Sequence, residues 1–234
     1  MAEARRSMTP FYAGLGAIAV VGAVLIGMRM RNTGAPLTLG PPVGPIAPGP
    51  RGVVYGSDSA SVEITEFADF ECGFCASFAT VQMPDVKSRL IATGRVRWRF
   101  VHFPLPMHRN APEAHLAAAC AGRQNRFWEM HDVIYQNQDE WVRSRRPAAA
   151  LEGYAQRLGL DGARYRQCVS QREAWPEVLA DRALGDSLRV GGTPTFYING
   201  REWETRDYSA DRIRAVVDSI APPAPARAGA TPRR

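Results

Sequence analysis

The stretch Phe67-Ala68-Asp69-Phe70-Glu71-Cys72-Gly73-Phe74-Cys75 decides the fold, because its paired cysteines sit where one kind of secondary structure hands over to another. Upstream, Val62 to Phe67 is a short β-branched run, the composition of a strand. Downstream, Phe74, Phe78 and Val81 recur at helical spacing, and Val86, Leu90 and Ile91 continue an apolar face until Gly94 ends it, with a kink expected at Pro84. Val96, Trp98 and Phe100 then alternate with Arg95, Arg97 and Arg99, which predicts a second strand with one polar face. Strand, CxxC, helix, strand is the βαβ opening of an α/β domain.

The position of the pair gives it a chemistry. A cysteine at a strand-to-helix junction faces unpaired backbone N–H groups and the positive end of the helix dipole, both of which stabilise thiolate, so Cys72 is the predicted nucleophile. Cys75 lies within one helical turn, at a Cα separation that suits a disulfide, where a buried sulfur can resolve a mixed disulfide. A zinc site would need two more ligands at comparable spacing; the next cysteine is Cys120, and His102 and His108 form no matching pair. Neither a metal nor a cofactor is expected.

Beyond the second strand, about residues 110–188 read as a long helical insertion carrying Leu116, Cys120, Phe127, Trp128, Met130, Ile134 and Tyr135, with breaks near Pro147, Gly162 and Pro176. Gly191-Gly192-Thr193-Pro194 leads into Thr195 to Ile198, and Asn199-Gly200 predicts a two-residue hairpin turn into Arg201-Glu202-Trp203. Ser209 can cap a last helix whose Ile213, Val216, Val217 and Ile220 form one apolar face.

The ends of the 234-residue chain differ from this domain, which spans residues 53–220. After a ten-residue flank, Phe11 to Met28 is uncharged and bracketed by Arg5, Arg6, Arg29 and Arg31. At about 1.5 Å per residue it covers roughly 27 Å, near the lower limit for a bilayer core, and reads as a single membrane anchor. A cleaved signal peptide is the competing reading, but no Ala-x-Ala site follows before Asn32. Residues 29–52 are rich in proline and glycine and read as a linker, and residues 221–234 as a disordered tail. The formal charge of +6 comes from scattered arginines with Lys87 the only lysine, so no basic stripe points to nucleic acid.

The motif Phe67 to Cys75, a helical insertion, and Gly192-Thr193-Pro194-Thr195-Phe196, in that order, resemble the DsbA-like thioredoxin superfamily. His102-Phe103-Pro104-Leu105 and Phe127-Trp128-Glu129-Met130-His131-Asp132 are similar to stretches of its DsbA and BdbD type. The resemblance implies a thioredoxin-like fold, disulfide exchange with protein substrates, a cis proline at Pro194 with Thr193 offering backbone to an extended substrate, and a buried acid. That acid would be Glu66, which shares a strand face with Val62 and Ile64 and could relay the proton of Cys75; the bland alternative is a strand end reaching solvent. Asp69 and Glu71 read as solvated loop charges that oppose thiolate formation at Cys72. Similar proteins sometimes carry a second, structural disulfide, for which Cys120 and Cys168 are the pair; two free buried thiols are the alternative. None of the four histidines is assigned a role, and Trp98, Phe127 and Trp128 read as core.

The dipeptide Gly73-Phe74 matches neither the Pro-His of DsbA nor the Gly-Pro of thioredoxin, and with Thr193 it leans towards the isomerase pattern. Isomerases of that type carry a dimerisation domain where this chain has a linker, so a disulfide-donating oxidase ranks ahead of an isomerase or reductase. A tethered, non-catalytic binding module or chaperone is the reading from another class. The expected partners are cysteine-containing secreted or envelope proteins and a membrane redox partner. The expected location is the inner membrane, with the catalytic domain on the extracytoplasmic, periplasmic side.

Overall fold

The computed structural model describes residues 39–42, 51–205 and 207–222, all within one unit, Thr38–Arg234. The apolar run 11–28 and its expected anchor lie outside the described residues, as do most of the linker and the tail beyond Pro222. Among the described residues no helix is long and apolar enough to cross a membrane.

Among the described residues, six strands form one mixed sheet: β1 (Leu39–Pro42), β2 (Val53–Tyr55), β3 (Val62–Ala68), β4 (Val96–His102), β5 (Thr195–Ile198) and β6 (Arg201–Trp203), in the order β1-β6-β5-β3-β4-β2. β3 is central, parallel to β4 and antiparallel to β5. Flanked on both edges and covered on both faces, it buries every side chain from Ile64 to Ala68. The buried stretch takes in the polar Thr65 and Glu66 as well as the apolar Ile64, Phe67 and Ala68. Arg97 and Arg99 of β4 project to one side, where both guanidinium groups reach Glu63, so the polar face expected of this strand is an ion-paired one.

The chain from β3 to β4 is helical but not uniform. α1 (Gly73–Ser77) passes into a π-helical stretch at Phe78–Gln82, then α2 (Met83–Val86), then a second π-helical stretch at Lys87–Ile91. The kink expected at Pro84 thus takes the form of widened turns on either side of the residue that lacks an N–H. The predicted apolar face is only partly used: Phe78 is buried, whereas Phe74 is 78% and Val81 64% exposed.

The helical insertion consists of α3 (Ala111–Gly122), α4 (Phe127–Gln136), α5 (Gln138–Arg143), α6 (Pro147–Arg157), α7 (Gly162–Ser170) and α8 (Trp175–Ser187). Pro147 and Pro176 occupy first turns, where a missing N–H leaves nothing unpaired. Gly162 follows Asp161, whose carboxylate accepts from the N–H groups of Ala163 and Arg164. A further break falls after α3, where Asn125 adopts a left-handed conformation with φ 60°. Cys120 of α3 and Cys168 of α7 are joined by a disulfide.

Asn199 and Gly200 both have positive φ, 48° and 73°, the conformation a two-residue hairpin turn needs, and they join β5 to β6. The last helix, α9 (Ala210–Ile220), is capped by the Ser209 hydroxyl and buries Ile213, Val216 and Val217, while Ile220 is partly exposed. The linker reading needs correction at one place. Leu39–Pro42 forms an edge strand against β6, and Gly40 O accepts from Arg201 Nε at 2.9 Å. Prolines suit an edge because one side of such a strand needs no donors. β2, also unread in the sequence, covers the other edge, where Trp128 Nε1 donates to Val54 O.

Candidate active site

Cys72 stands at the N-cap of α1 in extended conformation, so the chain turns into the helix immediately beyond it and the N–H groups of Phe74 and Cys75 point back at its sulfur. Across the sulfur lies the loop before β5, where the Thr193–Pro194 bond is cis. As a thiol, Cys72 donates to Thr193 O at 3.2 Å. Both cysteines are free thiols; Cys75 is fully buried and Cys72 retains a small exposed area.

The two sulfurs are electrostatically unlike. A hydrogen bond from the Cys75 thiol is the largest influence on Cys72; with the Thr193 side chain and the two helix N–H groups it outweighs burial and brings the Cys72 pKa down to about 5. The Thr193 hydroxyl is buried without any other partner and is free to serve the thiolate. Burial pushes Cys75 well above its ordinary value, and its role as donor to Cys72 and the charges of Cys72 and Glu66 push the same way. Cys72 is therefore the sulfur that ionises first.

Glu66 lies on β3 between Phe100 of β4 and Phe196 of β5 and is 2% exposed, so its strand end does not reach solvent. Its carboxylate accepts from Trp98 Nε1 at 3.0 Å, and burial raises its pKa to about 8. Trp98, read as core, thus also has a polar task, as the indole N–H of a buried tryptophan generally does.

Asp69 overturns its reading as a solvated charge: its side chain is fully buried. Oδ2 accepts from Leu105 N and His108 Nδ1, both at 2.7 Å, and Oδ1 accepts from Glu71 N at 2.9 Å and faces His115 Nε2 at 3.5 Å. Burial alone would raise its pKa, but His115 and the Leu105 and Glu71 N–H groups hold it below the usual carboxylate value. Glu71 is partly buried and accepts from Asn110 N at 2.6 Å. His102 and His115 share a hydrogen bond between their Nδ1 atoms at 2.7 Å, and burial holds the His102 pKa well below its ordinary value. From the insertion, Gln138 Nε2 donates to Phe70 O and Cys72 O, and Tyr135 Oη donates to Asp69 O.

Beside the cysteines, Phe74, Phe78, Thr193, Pro194 and Tyr208 line an open groove of about 540 Å³. Among the described residues no cluster of three or more potential ligands could hold a metal ion. The arrangement can form and break one disulfide at an accessible sulfur while keeping its partner sulfur covered.

Comparison with known proteins agrees with this geometry. The family description "Thioredoxin" matches residues 49–219. Over 170 residues, 72% of this chain, the sequence is 38% identical to a sodium/proton antiporter, NhaA 3, of Salinispora tropica. It is 28% identical over 167 residues to a Rickettsia prowazekii protein named as a candidate protein-disulfide oxidoreductase. The chain spans 24% of the antiporter's length and 60% of the Rickettsia protein's. Among solved structures, BdbD of Bacillus subtilis superposes with a TM-score of 0.65 at 21% identity, covering 80% of this chain and 98% of that one. A sheet with β3 parallel to β4, a helical insertion between β4 and β5, and a CxxC at a helix N-terminus opposite a cis proline agree with the family match over residues 49–219, and the chain belongs to the thioredoxin family.

Proposed function

We propose that the protein is a thiol–disulfide oxidoreductase that donates its Cys72–Cys75 disulfide to protein substrates. The observation that carries this is the asymmetry of the two sulfurs, one held near pKa 5 and reachable, the other buried and reluctant to ionise. A thiolate stabilised in the reduced protein makes the disulfide easier to give away.

In the donating direction a substrate thiolate attacks Cys72 Sγ, forming a mixed disulfide and releasing Cys75 as thiolate. Glu66, protonated at neutral pH, is placed to supply that sulfur with its proton. A second substrate thiolate then attacks the substrate sulfur of the mixed disulfide and expels Cys72, which leaves readily because its thiolate is stable. The substrate is oxidised by two electrons, and the protein ends as the dithiol. Thr193 offers backbone to an extended substrate next to Pro194, as strand-addition recognition requires. Substrates are cysteine-containing secreted or envelope proteins, and a membrane redox partner restores the disulfide. The apolar run 11–28 supports anchoring in the inner membrane, and the Cys120–Cys168 disulfide, suited to an oxidising compartment, supports a domain on the extracytoplasmic side.

The test is oxidation of a reduced two-cysteine peptide by the oxidised protein. Cys72→Ser is expected to abolish it, and Cys75→Ser to accumulate mixed disulfides through Cys72. Full activity in Cys72→Ser would leave only a binding module or chaperone. Rearrangement of a mispaired substrate without net oxidation would favour an isomerase. Labelling of Cys72 in intact cells by an impermeant thiol reagent supports the proposed orientation; labelling only after lysis contradicts it.

A further inference from the structure

The loop from Asp69 to Cys72 hangs on one carboxylate. Asp69 Oδ2 binds the Leu105 N–H and His108 beyond β4, and Oδ1 binds the Glu71 N–H inside the loop itself and faces His115 on α3. The same residue's carbonyl accepts from Cys72 N at 3.1 Å and from Tyr135 Oη at 3.3 Å, while Gln138 holds the carbonyls of Phe70 and Cys72. The carbonyls of Asp69, Phe70 and Cys72 are thus engaged away from the sulfur. The N–H groups left facing it are those of α1.

We propose that Asp69 is a positioning residue for disulfide exchange: its buried carboxylate fixes the loop that ends at Cys72, so that the N–H groups of Phe74 and Cys75 stay aimed at the reacting sulfur. The inference rests on the reading of Cys72 as the exchanging sulfur. It assigns Asp69 an effect opposite in sign to that of a bare negative charge near a thiolate. A charge acting through space would disfavour the Cys72 thiolate, and its removal would make ionisation easier. A carboxylate acting through geometry favours the thiolate, and its removal makes ionisation harder.

Two substitutions separate these effects. Asp69→Asn keeps the size and removes the charge, but its amide nitrogen must face either the Leu105 and His108 donors or the Glu71 N–H, so one side of the loop comes free. Asp69→Glu keeps the charge and adds a methylene for which a fully buried site has no room. The experiment is the pH dependence of alkylation of Cys72 in the reduced full chain, with the site confirmed by mass spectrometry and the fold checked by near-ultraviolet circular dichroism. Both variants are expected to move the Cys72 midpoint upward by about one pH unit or more, cutting the thiolate fraction at acidic pH about tenfold. Both should also make the Cys72–Cys75 disulfide a weaker oxidant. A downward shift in Asp69→Asn, or an unchanged midpoint in either folded variant, overturns the proposal. Should the buried substitutions fail to fold, His108→Ala removes only the partly exposed partner, and it must raise the midpoint too; no shift there also overturns it. Because alkylation needs no substrate, this result is independent of peptide oxidation: a native chain that fails to oxidise the peptide refutes the proposed function, whatever Asp69 does.

Discussion

Glu66 keeps its proton in the folded chain up to about pH 8, whereas an ordinary glutamate releases it near 4.5. Between those values the folded state binds a proton that the unfolded state has lost, so this group makes stability fall as pH rises through the window. Glu66→Gln cannot ionise. Its thermal midpoint relative to the native chain should therefore improve steadily from about pH 5 to about pH 8, and parallel profiles would contradict the burial of a titrating acid. Asp181, whose pKa burial raises to about 6, adds a slope of the same sign that both proteins share. The interior placement of Glu66 was legible because strand alternation puts it on one face with Val62 and Ile64. Asp69 was not legible: its partners Leu105 and His108 are 36 and 39 residues away, and a carboxylate two residues from an apolar strand looks like any loop acid. Trp98 shows the same limit, since the alternation that marks it as core says nothing of where its N–H points. The indole requirement for a partner, together with an acid on the neighbouring strand, was the available signal.

At the level of elements, α3 and α7 are tied by Cys120–Cys168 across a separation of 48 residues. Replacing both cysteines by alanine should lower the stability to chemical denaturation by about 2–4 kcal/mol, because the unfolded chain regains the freedom of that loop. The alkylation midpoint of Cys72 should stay where it is; a coupled change would mean that the insertion's packing sets the geometry of the active sulfur. Gly200→Ala forces a side chain into φ 73° and should cost about 1 kcal/mol, read as a lower thermal midpoint with exchange retained. The hairpin was legible from Asn199-Gly200 alone, since that dipeptide supplies the positive φ values the turn demands. The insertion was legible as helix, but of its internal breaks only those near Pro147, Gly162 and Pro176 were read; the one after α3, which ends at Gly122 with Asn125 left-handed beyond it, was not. β1 was hidden by its prolines, which read as linker until β6 is seen to offer it a partner. Exposed Phe74 shows where helical periodicity misleads: it has the spacing of a core residue but lines the groove beside the cysteines.

Across the whole molecule, the strand order β1-β6-β5-β3-β4-β2 brings the CxxC at the C-terminal end of β3 and the Thr193–Pro194 loop before antiparallel β5 to the same end of the sheet. Two segments separated by 121 residues thereby meet at one sulfur. The sequence order strand, CxxC, insertion, Thr-Pro, hairpin was enough to read that architecture, because in a βαβ unit the helix begins at the end of the sheet where the strand stops. The direction of exchange was not readable from Gly73-Phe74, because it depends on the relative stability of dithiol and disulfide, which the surroundings of both sulfurs set. The proposed donor role of the disulfide rests on the Cys72 environment. Its most direct test is the reduction potential of the Cys72–Cys75 pair, found by equilibrating the protein in glutathione buffers and following the reduced fraction. A two-electron transition well above the glutathione couple is the predicted result; a potential near that of thioredoxin, about −270 mV, would contradict it and make the protein a reductase.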